Sequence, residues 1–415
     1  MRQLALLTAV CLLAGCGSAT ATHSQSTPPG AAASLAPSAA CGGAVGDTLG
    51  TVAARIYHEA ASGGDVAQAV HRVVSSAALA SAVNAGNGTA AGAALRGLLL
   101  NQIVAIEVLR GGRVLARAGG GAAIAPVRGS IPGTSATYVL SVQSDRSYLQ
   151  VVNQVTGAQV LLLGGAGAGA DAGGWRRLAG TMAGTLPAGS PTDGAVSVAG
   201  KSFQAHVLTG AVYPSGTLHV ALLTPSAGIS CPGSLAQARV ETLGHVGEAI
   251  YREELHSPDV GETVRHMEHA AFFTGAVAAQ DPAATRSAIV RFFREHIHVV
   301  RVRVTVGGHL LVDVGGPYVL APVQGVLRSG GRVVGHFEMA IQDDAGYLKL
   351  AHLFTGAQVL MRVGSRQVMG TLSPGPPVVP DRGSVSYGGH TYEAYSFTGE
   401  AFPSGPLRIS LLLAS

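Results

Sequence analysis

Arg301 and Arg303 stand two positions apart in an apolar run, so an extended strand aims both guanidinium groups from one face. Such a pair can grip a carboxylate through parallel N–H donors. Asp313, Tyr318, His336 and Asp343 lie further along the same stretch. Together they are the few polar groups that a small-molecule site needs on a mostly apolar wall. The same residues also fit a plainer arrangement, a solvated sheet face with arginine stems laid along apolar surface. Asp343 and Asp344 have their own alternative, as acids at a helix N-terminus.

Most of the fifteen histidines lie after Cys231. His266 and His269 are three apart on a predicted helix, and His296 and His298 alternate at the start of a predicted strand, so each pair can meet one ion. Neither pair belongs to an H-E-x-x-H run, and no cysteine or paired carboxylate stands at ligand spacing. They read as surface histidines, and neither a metal nor a cofactor is expected. The glycine-rich run 164–174 follows a predicted strand, but no helix-forming run comes after it. It reads as a loop insertion rather than a phosphate loop. No G-x-S-x-G elbow occurs, so hydrolytic chemistry has nothing specific to stand on.

The chain opens with one cation, Arg2, ahead of an apolar run over 4–13, the layout of a secretory signal. That run falls short of the roughly 20 apolar residues that span a bilayer. It ends in Leu13-Ala14-Gly15-Cys16, which resembles the lipobox of bacterial lipoproteins and implies a lipid on the Cys16 sulfur. Residues 17–40 are Ser, Thr, Ala and Pro with no acid and no Lys or Arg, a composition expected to stay disordered. Such a tether reaches roughly 25–30 Å. Of four cysteines, Cys11 lies in the signal, and Cys41 and Cys231 remain after Cys16. In an oxidising compartment that pair reads as one disulfide, against free thiols or pairing between molecules. The net charge is only +4, and no basic run interleaves with aromatics, so nucleic acid is not an expected partner.

The elements that must position these groups occur twice. Leu49, Val52, Ile56 and Tyr57 match Leu243, Val246, Ile250 and Tyr251; Ala125-Pro126-Val127 matches Ala321-Pro322-Val323. Val155-Thr156-Gly157-Ala158-Gln159-Val160-Leu161 pairs with Phe354-Thr355-Gly356-Ala357-Gln358-Val359-Leu360, and Tyr213-Pro214-Ser215-Gly216 with Phe402-Pro403-Ser404-Gly405. In each copy the i, i+3, i+7 stripe predicts a leading helix, followed by a second helical stretch over 64–100 or 259–293. Predicted strands 103–109 and 299–306 turn at Gly111-Gly112 and Gly307-Gly308 into 114–118 and 310–314. A strand over 138–143 or 337–342, a short helix holding Tyr148 or Tyr347, the strand after Thr-Gly-Ala-Gln and two final strands complete each copy. Helices first and antiparallel strands after them make an α+β pattern.

The run Gly331-Arg332-Val333-Val334-Gly335-His336-Phe337-Glu338-Met339, followed by Asp343, Asp344, Tyr347 and Leu348, resembles the Cache family of extracytoplasmic PAS-like sensor domains. The resemblance implies two tandem PAS/Cache-like domains, each with N-terminal helices packed on a central antiparallel sheet. Their expected bounds are 41–228 and 229–415, after a signal at 1–15 and a lipidated linker at 16–40. It also implies small-molecule recognition outside the cell, and chain ends close enough for Cys41 and Cys231 to meet. The Arg-x-Trp-Tyr run of amino-acid-binding members is absent and the sole tryptophan is Trp175, so an amino-acid ligand is not implied.

Where the second copy has Arg301, Arg303, Asp313 and Tyr318, the first has Ala105, Glu107, Arg117 and Ala122, which makes the second the expected ligand carrier. The expected function is binding or sensing at the outer membrane face without catalysis, the signal passing to a separate membrane protein. The alternative is a structural or interaction lipoprotein. Cys16→Ser should move the protein out of the sedimented membrane fraction; a variant that still sediments with membranes would refute the anchor.

Overall fold

The structure, a computed structural model, describes residues 39–99, 102–165, 175–183, 192–226, 234–296, 299–317, 320, 322–403 and 405–415. The chain parts into two compact units between Leu235 and Ala236, with the short segment Gln154–Gly157 grouped with the second. Both are mixed α+β, and each carries a four-stranded and a five-stranded antiparallel sheet where one sheet was expected.

In the first unit, α1 (Ala39–Ser62) is followed by α2 (Gly64–Val74), α3 (Ala77–Asn84) and α4 (Gly88–Leu99). The expected single stretch is broken because capping groups sit inside its apolar pattern. The Ser76 hydroxyl accepts from Leu79 N at 3.3 Å, and the Asn87 amide oxygen accepts from Ala90 N at 3.0 Å. The first sheet comprises β1 (Ala105–Arg110), β2 (Arg113–Gly119), β4 (Val127–Ser130) and β5 (Ala136–Ser141) in the order β2-β1-β5-β4. Between and after them, β3 (Ala123–Ile124) pairs with β6 (Gln143–Ser144). Then α5 (Asp145–Thr156) leads into a second sheet of β7 (Gln159–Gly164), β8 (Arg176–Gly180), β9 (Gly194–Val198), β10 (Lys201–Ala211) and β11 (Thr217–Pro225), ordered β8-β7-β11-β10-β9.

The second unit repeats the plan. Its helices are α6 (Leu235–His256), α7 (Pro258–His269), α8 (Ala271–Ala278) and α9 (Pro282–Glu295). Here α7 and α9 start at prolines whose missing N–H costs nothing in a first turn, capped by Ser257 and Asp281. The first sheet is β12 (Arg301–Val306), β13 (His309–Gly315), β14 (Val323–Ser329) and β15 (Arg332–Ala340), ordered β13-β12-β15-β14. After α10 (Asp344–Thr355), the second is β16 (Gln358–Val363), β17 (Arg366–Gly370), β18 (Arg382–Tyr387), β19 (His390–Glu400) and β20 (Pro406–Ala414), ordered β17-β16-β20-β19-β18. The two final strands expected for each copy are thus four, laid beside the strand that follows Thr-Gly-Ala-Gln.

Both Gly-Gly turns have positive φ at each glycine, 58° and 77° at Gly111 and Gly112 and 56° and 84° at Gly307 and Gly308, the primed geometry that matches strand twist. The first sheets bury their helix-facing side against the three short helices. In the second unit that core joins Val302, Val304, Phe337 and Met339 to Phe273, Ile289 and Phe292.

A tyrosine pair ties the leading helix to the rest of each unit. The Tyr57 phenol accepts from Ala211 N at 2.6 Å, and the Tyr251 phenol accepts from Glu400 N at 2.8 Å. The fully buried Tyr148 and Tyr347 donate to carbonyls of the leading helix, Ala53 O at 3.1 Å and Gly247 O at 3.0 Å. The rings meet edge to face at 6.1 Å (Tyr57–Tyr148) and 6.4 Å (Tyr251–Tyr347). Glycine makes this approach feasible: a Cβ at Gly210 would come within 2.6 Å of the Tyr57 ring, and one at Gly399 within 2.6 Å of the Tyr251 ring. Among the described residues no single helix is long and apolar enough to cross a membrane.

Gly399→Ala should therefore destabilise the protein by about 1–3 kcal/mol through overpacking, and Tyr251→Phe by about 1 kcal/mol through the lost hydrogen bond. Urea unfolding that is unchanged in both variants would show that the ring and glycine are not coupled.

Candidate functional site

Strand β12 is central in its sheet, so alternate side chains divide cleanly. Val302 and Val304 enter the helix-facing core, while Arg301 and Arg303 point from the opposite face and are partly buried there. Register sets their neighbours: Arg303 lies opposite Asp313 on β13 and opposite Glu338 on β15.

Arg301 reaches diagonally to Asp313. Its Nε donates to Oδ1 at 2.9 Å and its Nη2 to Oδ2 at 2.7 Å, a bidentate pair. The same guanidinium lies 4.3 Å from the centre of the Phe402 ring. The carboxylate that Arg301 was expected to grip is thus one of the chain's own. Arg303 differs, because its Nε is buried and has no hydrogen-bond partner among the described residues.

Glu338 flanks Arg303 and accepts from Gln324 Nε2 at 3.3 Å. Burial pushes its carboxyl above the ordinary glutamate value, opposed by Arg303 and Arg301 and reinforced by Asp313 and Glu400. His336 is exposed, two positions before Glu338, and lies opposite Thr305 and Val326. Asp343 does not join this face through its cap contact: its side chain caps α10, accepting from Gly346 N at 2.5 Å. Asp344, almost fully buried, accepts from Leu320 N at 2.9 Å. Tyr318 lies outside the described residues, as do His298, Cys16 and Cys231. Cys41 is fully buried and disulfide-bonded.

Sequence reasoning named Arg301, Arg303 and Asp313, which the sheet brings together, and it passed over Glu338, Gln324, Glu400 and Phe402. Glu338 was within reach, since it stands in the run 331–339 at a position that alternation places on the arginine face. Phe402 is visible through the repeat, as the counterpart of Tyr213.

The first unit shows the same position with the charges exchanged. Glu107 on β1, 6% exposed, faces Arg117 on β2, where the second unit has Arg303 facing Asp313. Burial, then Glu107, pushes the Tyr213 phenol up to about 12, with Arg117 pulling the other way. In both units the end of the long strand of the second sheet is paired to the segment linking the first, by the bridges Ile124–Val212 and Leu320–Ala401.

Two other places carry polar groups. An open groove of about 640 Å³ in the first unit is lined by Asp145, Arg146 and Gln150 of α5 and by residues 177–181. In the second unit His266, Glu295 and His296 bring three donor atoms within 4.8 Å of one another. No family model, curated protein or solved structure matches the chain.

Because burial raises the folded-state pKa of Glu338, its ionisation costs folding stability. The cost is absent below the unfolded glutamate pKa and fully present once pH exceeds the raised value. Glu338→Gln should leave urea stability unchanged near pH 4 and increase it near pH 7. A variant less stable at neutral pH would mean that the attraction to Arg303 outweighs burial.

Proposed function

We propose that this protein is a lipid-anchored binding or sensing protein at the extracytoplasmic face of the cell membrane. Its two Cache-like domains pass the state of a small ligand to a separate membrane partner and carry out no catalysis of their own. The second domain is the ligand carrier, and its site is the arginine face of β12.

One observation carries this reading: the buried Nε of Arg303 without an acceptor. Taking a guanidinium N–H from water without a partner is costly, and folded chains leave few such groups. Arg301 beside it is already matched by Asp313, which shows what the local geometry does with a guanidinium when a carboxylate is at hand. A small anionic molecule with a carboxylate would complete the same pairing at Arg303. Gln324 and the half-buried Glu338 flank that position and would select a ligand that also carries hydrogen-bond donors. The first domain, with Glu107 at the equivalent position, does not take the same anion.

The test is a thermal-shift screen of the full chain against small carboxylates, zwitterions and phosphates. A ligand present at 100 times its dissociation constant stabilises by about 2.7 kcal/mol, an easily read shift. Arg303→Met should abolish the shift for the carboxylate that gives it, while Arg117→Met in the first domain leaves it intact. A shift that survives Arg303→Met would place the ligand elsewhere, and a panel without any shift would count against small-anion binding.

A further inference from the structure

Three polar side chains outside the arginine face converge where α7 meets the end of α9. His266 is in the last turn of α7; Glu295 is the final residue of α9, and His296 is its C-cap. One donor atom from each lies within 4.8 Å of the other two. Nδ1 of His266 is 2.6 Å from Nε2 of His296. Two imidazole nitrogens face each other at that distance only with a proton between them, so both are aimed at one point, which an ion can take in the proton's place once they move apart.

The surroundings fix each donor. Nδ1 of His296 meets the Thr263 hydroxyl at 3.4 Å, which leaves Nε2 to point at His266. A second hydrogen bond of this kind sets the tautomer and aim of a metal-ligating histidine. Nε of Arg291 donates to Glu295 Oε1 at 2.6 Å and orients that carboxylate. The fully buried Phe292 ring lies under both imidazoles, 5.3 Å from His266 and 6.2 Å from His296. Its floor is anchored in the core with Phe273 at 5.3 Å.

We infer that His266, Glu295 and His296 form a binding site for one divalent late transition-metal ion, of which Zn²⁺ is the representative. Two imidazoles and a carboxylate suit Zn²⁺ and its neighbours, whereas Ca²⁺ and Mg²⁺ call for oxygen donors. Donors around Zn²⁺ sit at about 2.0–2.2 Å from it, so the two nitrogens open slightly and the carboxylate closes in as the ion enters. His266 and Glu295 are exposed, so the ion exchanges with solvent, and three protein donors leave a coordination position for water. The pairing differs from the one that sequence spacing offers. His266 does not act with His269, whose Nδ1 lies 2.7 Å from the Arg265 carbonyl. It acts with a histidine 30 positions away.

The test is calorimetric titration of the chelator-stripped full chain with ZnCl₂, with Co²⁺ absorption as a second readout. The full chain should bind Zn²⁺ saturably, and His266→Ala and His296→Ala should each bind one equivalent fewer with unchanged circular dichroism. Thr263→Val should keep the stoichiometry and weaken that site roughly 10-fold. Glu295→Gln, at an exposed position tolerant of change, should alter the visible absorption of bound Co²⁺, because it removes one of the three donors. A parent chain that binds no Zn²⁺, or a His266→Ala/His296→Ala double variant that binds as many equivalents as the parent, would overturn the site.

Discussion

The hydroxyl of one tyrosine in the leading helix holds each unit together. Tyr57 and Tyr251 reach from α1 and α6 to the backbone at the end of the long strand of the second sheet, at Ala211 and Glu400. The next residue along, Val212 or Ala401, bridges to the segment that links strands of the first sheet. A second tyrosine, from the short helix between the sheets, meets the first edge to face and bonds the leading helix in turn. Leading helix, short helix and both sheets therefore share one small junction. Helix propensity does not require it, because the tie is made by side chains from distant parts of the chain and by glycines that let their rings approach.

That junction also shapes the face on which the candidate site stands. The strand end held by Tyr251 continues into Phe402, whose ring lies against the Arg301 guanidinium. Glu400, at the tied residue, adds to the field that raises Glu338. Packing and electrostatics are thus linked through a few residues: moving the strand end would shift the aromatic cover of Arg301 and the acid that acts on Glu338 together. The helix side of the same sheet is filled by Val302, Val304, Phe337 and Met339, which leaves the charged residues no alternative direction.

Much of this is legible in the repeat alone. Tyr57 and Tyr251 recur with their helical stripes, the Gly-Gly pairs mark hairpins, and alternation puts Arg301 with Arg303. Local signals failed where the deciding partner is remote or the pattern mixed. The helical stretches read as continuous because their apolar period runs through Ser76, Asn87 and Asp281, whose capping role depends on backbone direction. The second sheets were undercounted because strands such as Gln159–Gly164 are buried almost throughout and others, such as Arg176–Gly180, carry little pattern. Spacing paired each histidine with its sequence neighbour, whereas folding set His266 against His296 across a helix junction. Orphaned groups such as the Arg303 Nε leave no trace in a sequence, since satisfaction is a property of three-dimensional neighbours.

The exchange of Glu107–Arg117 for Arg303–Asp313 has a consequence for divergence between the copies. Glu107 with Arg117, like Arg303 with Asp313, are opposite charges at register-paired positions, so exchanging them keeps the sign of the attraction across the strands. The potential presented beyond the sheet does change sign, because the central strand contributes the more enclosed member. Two modules with one blueprint can therefore drift to opposite polarity without passing through an unstable intermediate, provided the two changes arrive together. Selection on what lies against the face, rather than on folding, then decides which order each module keeps.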